Sequence, residues 1–234
     1  MNNNNDQGLI EIISASRHSS ETFWQETALG QSIQRLSPDS RLSFHIRCSN
    51  TRGLPEVYNA RLAQDEGPDI KVFMHDDVWI DDHFFVEHII SGLQHYDVIG
   101  VAGTTRRVPN QPGWACIGIE GKELVYEKRK YLSGVIAHGQ QPFGKLARFG
   151  AVPATCELLD GVMLAARRSV LRANAVMFDP LFDFHYYDLD FCRTARNQGL
   201  SLGTWPIALT HQSQGVLGPH WHHCRRIYFS KWLD

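Results

Sequence analysis

The chain has 234 residues, 43% of them hydrophobic and 21% charged, with a formal net charge of -2. That length and composition fit one large α/β domain with a full core better than two small ones. The near-neutral balance supplies no field to steer duplex nucleic acid, so none is expected as a partner, and no apolar run approaches the ~18 residues of a membrane-spanning helix.

"MNNNNDQG" (1–8) is a polar lead without the pattern of a signal peptide, and it is expected to be disordered. "LIEIISAS" (9–16) is a β-branched run that closes on small polar residues, as a first core strand does. "TFWQETALGQSIQRL" reads as one helix, with Thr22-x-x-Gln25 as its capping box and Phe23, Trp24, Ala28 and Leu36 on its apolar face. "RLSFHIRCS" alternates Leu42, Phe44, Ile46 and Cys48 against polar residues, which predicts a strand with one wet face near a sheet edge. "GLPEVYNARLAQDEGP" has Pro55 near a helix start and Gly67-Pro68 past its end. "DIKVFMH" is a buried strand, "HFFVEHIISGLQ" a helix that Asp81 or Asp82 can cap, and "DVIGVAG" (97–103) a fourth strand. This alternation predicts a mostly parallel central sheet with helices on both faces.

Residues 104–153 break the rhythm with many Gly and Pro and with Trp114, Tyr126, Tyr131 and Phe143. The segment is too long for an idle connector and is expected to be a functional loop with short strands of its own; its aromatic rings can stack on a sugar or simply cover the sheet. Order returns with "CELLDGVMLAARRSVLRA", a strand followed by a helix, and "DLDFCRTARNQG", a helix stopped by Gly199. "LSLGTWPIALTH" is a late strand, and "GPHWHHCRRIYFSKW" a basic, aromatic tail. Its "HWHHC" lacks a second cluster at finger-like spacing, so a structural zinc is not expected. Solvated surface is the simpler account of the tail, with contact to phosphates or acidic lipid as the other. The cysteines at 48, 116, 156, 192 and 224 are odd in number and form no CxxC pair, which points to buried thiols, a reducing compartment and a cytoplasmic protein.

Ligands of open α/β sheets bind beyond the carboxyl ends of strands. The polar residues there are Ser14 to Arg17, Ser49-Asn50, His75-Asp76-Asp77, Gly103-Thr104, Asp160-Gly161 and His211. Carboxylates with one imidazole suit Mg2+ or Mn2+ better than zinc. Asp76-Asp77 equally fits a plain helix cap, and His211 a structural strand-end histidine. Asp188, opening a helix among Phe184, Tyr186, Tyr187 and Phe191, fits either an N-terminal charge on the helix dipole or a general base in an aromatic, partly dry setting.

"VFMHDDVWI", "LLDGVMLAARRSVL" and "YYDLDFCRTARNQGLSLGTWPIALTHQSQG", in that order and spacing, resemble nucleotide-sugar glycosyltransferases of the GT-A fold, similar to the large inverting family that includes bacterial polysaccharide enzymes. The resemblance covers nearly the whole chain after the lead and is weakest over 104–153. It implies one GT-A domain over 9–215, with a nucleotide-binding half at 9–103 and an acceptor half at 104–215, followed by the tail at 216–234. It further implies that Asp77 and His211 hold Mn2+ or Mg2+, that Asp76, Ser14, Ser16, Arg17 and Asn59 face the nucleotide, and that Asp188 is the catalytic base. Asp160 and Gly161, with Trp114, fall where the sugar and acceptor are gripped. His75 stands where the motif commonly has an acid and either weakens the metal site or takes part in it; Tyr187 replaces the family's glutamate.

The implied activity is metal-dependent transfer of a sugar, by default from a UDP-sugar, to a hydroxyl acceptor with inversion, as in polysaccharide or glycoconjugate synthesis. A glycan, a lipid-linked sugar or a protein can be the acceptor, and contact with the inner membrane face stays open. The two departures from the motif also fit a glycosyltransferase-like nucleotide- or glycan-binding module without turnover. A nucleotidyltransferase fits less well, because "SASRHSS" has one Arg and no glycine.

Overall fold

A computed structural model of the chain describes residues 9–121, 123–213, 215 and 217–233. The expected disorder of 1–8 concerns residues outside that set. In β1 (Ile10–Ala15), Ile10, Ile12 and Ile13 are all fully buried. Successive strand side chains face opposite ways, so Ile12 joins the core on one side of the sheet and Ile13 the core on the other. The same division recurs at Val72 and Phe73 in β3 (Ile70–Met74).

Between these strands lie α1 (Ser20–Glu26), α2 (Ala28–Leu36), β2 (Leu42–Arg47) and α3 (Leu54–Leu62). The expected single first helix is two. The Thr27 hydroxyl accepts from Gly30 N at 3.0 Å and starts α2 anew, while Ser19 caps α1 instead of the predicted Thr22 box. After β3 come β4 (Val78–Ile80), α4 (Phe85–Gly92), β5 (Val98–Gly100) and β6 (Ala102–Thr104). The 104–153 stretch contains β7 (Cys116–Glu120), β8 (Glu123–Tyr126), β9 (Leu132–His138) and β10 (Lys145–Arg148). The remainder is β11 (Ala154–Cys156), β12 (Leu158–Leu159), β13 (Met163–Arg167), α5 (Arg168–Ala173), α6 (Tyr187–Asn197), β14 (Leu202–Thr204), β15 (Leu209–His211) and α7 (Pro219–Trp232).

Among the described residues the larger sheet has the order β11-β14-β5-β13-β3-β1-β2. β2, β1 and β3 are parallel, as are β5 and β14, while β13 and β11 run against their neighbours. The sheet is therefore mostly parallel, and β2 lies at its edge as its wet face predicts. Helices α1, α2 and α4 cover one side through Phe23, Leu29, Ile33, Phe85 and Ile89. Helices α3, α5, α6 and α7 cover the other through Tyr58, Leu171, Phe191 and Tyr228. Within the sheet, Glu11 and Lys71 are register partners 2.6 Å apart, and Arg61 from α3 reaches the same buried carboxylate. A buried charge set of this kind is costly to break and holds β1, β3 and α3 in one alignment.

The second sheet, β12-β6-β9-β15-β4 with β10 on β9, is what the sequence leaves hidden. "VFMHDDVWI" leaves the large sheet after Met74 and enters the small one at Val78; "DVIGVAG" crosses in the same way between β5 and β6. His75, Asp76 and Asp77 occupy the first crossing. The tail expected as solvated surface is instead α7, packed on α6: Trp221 and Tyr228 lie against Tyr186 at 5.4 and 5.1 Å. Trp232 Nε1 donates to buried Asp190 at 2.8 Å, and Lys231 pairs with the same oxygen at 2.7 Å. No helix among the described residues is long and apolar enough to cross a membrane.

Candidate active site

The strand order brings three side chains to the first crossing. Asp77 precedes β4 and His211 ends β15, and because the antiparallel ladder pairs His211 with Val78, the two ligand candidates become neighbours. His211 Nε2 lies 3.2 Å from Asp77 Oδ1, and His75 Nδ1 lies 4.0 Å from the same oxygen. That oxygen is buried and has no well-aligned hydrogen bond. Ligand atoms of all three residues fall within 4.8 Å of one another.

An orphaned carboxylate oxygen facing two imidazoles is a donor set that fits a divalent cation. Burial alone would raise the Asp77 carboxyl; the close approach and charge of His211, with His75 behind it, instead hold it below the ordinary range. Burial depresses His75, against the pull of Asp77, and so favours the neutral, ligating imidazole. Burial also works against the charge on His211, but Asp77 outweighs it and the ring is raised. His75, an uncertain participant from the sequence, belongs to the set.

From His75 a chain of contacts runs to the start of α6. His75 Nε2 lies 2.9 Å from the Tyr187 hydroxyl, which donates to Gly161 O at 2.7 Å. Gly161 N in turn donates to Asp188 Oδ2 at 2.9 Å. A Cβ on Gly161 would lie 2.5 Å from the Tyr187 hydroxyl and 2.8 Å from Asp188 Cβ, so no larger residue fits. Tyr186, just before α6, has a φ of 68°, unusual for a non-glycine residue; its hydroxyl donates to Pro112 O at 2.8 Å and ties the 111–114 loop to the helix start.

Burial, reinforced by the nearby Asp160 charge, pushes the Asp188 carboxyl up to about 7, against three backbone hydrogen bonds that favour its ionised form. Asp160 also attracts the charged forms of His211 and His75, so these groups share one field. A carboxyl half-ionised near neutral pH is poised to take a proton from a hydroxyl. Tyr187 therefore occupies the missing glutamate's place as a bridge rather than as a second acid.

Beside this network lies a polar cavity of about 860 Å³, bordered by Ser16, Arg17, Asn50, Arg52, Asp76 and Phe184 among others. Ser16, Arg17 and Asp76, three of the residues expected to face a nucleotide, thus border one cavity. Two expected residues do not line it. Ser14 is buried within β1, its hydroxyl without a partner among the described residues. The Asn59 amide is spent in both directions on Phe178, donating to its carbonyl at 2.6 Å and accepting from its N–H at 3.0 Å. Trp114 packs edge-on against Phe149 at 4.8 Å. Arg52 and Asp183 carry no signal in the sequence, and Phe184 stands out there only as an aromatic neighbour of Asp188; Ser49-Asn50 after β2 are the residues that mark that edge. A separate apolar cavity of about 450 Å³ beside Trp205 and Leu146 includes Asp81, whose carboxylate is already engaged by Thr210 and Phe143.

Residues 17–227 match the glycosyltransferase-like family. The chain belongs to that family. Its architecture is GT-A, similar to GalNAc-T7 solved with UDP, GalNAc and Mn2+, at a TM-score of 0.52 and 8% identity over 97% of this chain and 50% of that one. The chain thus spans about half the length of that structure. S. aureus TarS (TM-score 0.44, 12% identity, 97% of this chain and 40% of that one) matches more loosely. So does the catalytic domain of Drosophila beta1,4galactosyltransferase 7 in complex with xylobiose (0.46, 10%, 93% and 79%). At such identities the likeness is one of fold alone. No curated protein sequence matches the chain.

Proposed function

We propose that this glycosyltransferase-like chain moves a sugar from a nucleoside-diphosphate donor, UDP-linked by default, to a hydroxyl acceptor with inversion. The observation that carries the reading is the continuous path from the His75/Asp77/His211 set through Tyr187 and Gly161 to the near-neutral Asp188, beside a polar cavity.

Asp76, Ser16 and Arg17 hold the nucleoside end of the donor in that cavity. A divalent cation held by Asp77, His211 and His75 would supply Lewis-acid neutralisation of charge on the departing diphosphate. Two imidazoles and one carboxylate are softer than an all-oxygen set, which favours Mn2+ over Mg2+. Asp188 takes the acceptor hydroxyl's proton as that oxygen attacks the anomeric carbon. The bond to the diphosphate breaks on the opposite face, and its electron pair leaves with the phosphate. Tyr187 and Gly161 keep Asp188 and His75 at fixed separation, while Asp160 holds Asp188 near neutrality and, with Trp114 on the loop pinned by Tyr186, borders the sugar and acceptor.

The acceptor class we propose is a glycan, lipid-linked sugar or protein hydroxyl met on the cytoplasmic side, in polysaccharide or glycoconjugate synthesis. The test is diphosphate release from a panel of UDP-sugars with Mn2+, for the wild type and Asp188→Asn. Metal-dependent release that the substitution abolishes supports the reading. Nucleotide binding without release from any donor would make the chain a binding module.

A further inference from the structure

"GPHWHHC", at the start of α7, has no finger-like partner in the sequence, but the fold supplies one from the segment ahead of α6. His220 and Cys224 are four residues apart and therefore share a face of α7. That face meets Asp183: its carboxylate lies 2.6 Å from His220 Nε2, and Cys224 Sγ lies 3.7 Å from the same nitrogen. The three ligand atoms all lie within 4.8 Å of one another. Zn–S bonds of about 2.3 Å and Zn–N bonds of about 2.0–2.1 Å in a tetrahedron place sulfur and nitrogen about 3.6 Å apart, close to the spacing present.

We propose that Asp183, His220 and Cys224 bind a divalent transition metal of the zinc class, separate from the His75/Asp77/His211 set and sharing no residue with it. Sulfur, imidazole and carboxylate together favour zinc over the hard cations Mg2+ and Ca2+. Cys224 is buried whereas Asp183 and His220 are exposed, so the sulfur is sheltered and the ion is reached from solvent. The His185 backbone hydrogen-bonds the sulfur, and its ring lies 5.6 Å from that of His220, near enough to contest the fourth position with water. On binding, the Cys224 thiol passes its proton to solvent. The Asp183–His220 hydrogen bond is exchanged for two metal bonds, with the remaining ring proton on His220 Nδ1.

The consequence is mechanical. Asp183 and Phe184 border the polar cavity, and the Asp183 carbonyl accepts from Leu54 N at 2.7 Å, at the head of α3. An ion here clamps α7 to the cavity wall.

Titrating the full chain, stripped of metal by chelation and dialysis, with Co2+ as the spectroscopic substitute for Zn2+ tests this site. The expected result is a thiolate-to-cobalt charge-transfer band that saturates at one equivalent and is displaced by Zn2+. Asp77→Ala keeps the band, because no sulfur faces Asp77, so this outcome does not depend on the glycosyltransfer reading. Cys224→Ser and His220→Gln each lose it, with Zn2+ affinity down at least about 100-fold by competition against a chelating dye. His220 is half-exposed, so its replacement spares the fold, and circular dichroism verifies that. A folded wild type without the band, or a band that survives either substitution, overturns the proposal.

Discussion

Asp77 and Asp81 lie four residues apart in one acidic stretch and serve opposite ends. Asp77 sits in the crossing between the two sheets, where its Oδ1 is buried with no aligned donor and two histidines face it. Asp81 lies one residue beyond β4 and is fully engaged, accepting from Thr210 Oγ1 at 2.5 Å and from Phe143 N at 3.1 Å. Asp82 next to it is not the expected cap, since α4 starts after Phe84 without a side-chain cap; it holds the turn ahead of the helix, accepting from Phe84 N at 2.8 Å and lying 2.6 Å from His88 Nδ1. The pair at α6 repeats the contrast: Asp188 faces Gly161 in the site, and Asp190 anchors α7 through Trp232 and Lys231. What sets Asp77 apart is a buried oxygen facing two imidazoles; Asp81 and Asp190 instead tie neighbouring elements together, and Asp190 keeps one buried oxygen, Oδ2, without a partner among the described residues.

The contrast breaks if the two members of each pair respond alike. The largest effect is expected for Asp188→Asn, which should lower turnover by ~10²–10⁴-fold while leaving nucleotide affinity within a few-fold, read by steady-state kinetics and calorimetry. Asp77→Ala should follow, weakening Mn2+-dependent nucleotide binding by more than the roughly 10–100-fold typical of outer-sphere substitutions; unchanged affinity would remove Asp77 from the metal set.

Asp81→Ala and Asp190→Ala should do the reverse. Asp81→Ala leaves the buried Thr210 hydroxyl without its acceptor and Asp190→Ala the partly buried Trp232 indole; each should cost about 1–3 kcal/mol, with Tm lowered by about 2–4 °C per kcal/mol and nucleotide affinity unchanged. Loss of binding without loss of Tm in either variant would erase the distinction.

Titration sharpens it further. The folded Asp188 carboxyl stands at about 7 against 3.8 unperturbed, so between those values the folded chain holds a proton that the unfolded chain has lost. Stability therefore falls as pH rises from about 4 to 7 and is level above. Asp188→Asn should raise Tm at pH 8 and flatten that slope, and wild-type turnover should fall as pH drops below about 7. Tyr187→Phe should cost least in turnover, a few-fold, but it strands the buried Gly161 carbonyl and His75 Nε2 and should lower stability by about 1–3 kcal/mol, read as a drop in Tm.

Much of the fold is legible in the sequence because its signals are local. Alternation gives β2 its edge position, and the β-branched runs give β1 and β3 their burial. The small sheet is not legible, because β4 and β6 are three-residue strands that continue apolar runs begun in the large sheet. Nothing in "VFMHDDVWI" marks the change of partner. For the site, strand-end logic singles out Asp76, Asp77 and His211, and the aromatic setting of a helix start singles out Asp188. The resemblance adds Asn59, but its amide is captured by a backbone 119 residues away, and the packing of the tail is not legible because it rests on Tyr186 and Asp190 at the start of another helix.

The pairing of His211 with Val78 makes the proposed cation site a gauge of strand alignment. Side chains alternate in direction along β15, so a slip of one position against β4 would turn the imidazole away from its carboxylate and disassemble the cation site with every ligand still in the chain. Insertions or deletions between Trp205 and Leu209, which replace no proposed ligand, should therefore weaken Mn2+-dependent nucleotide binding as much as loss of a ligand does.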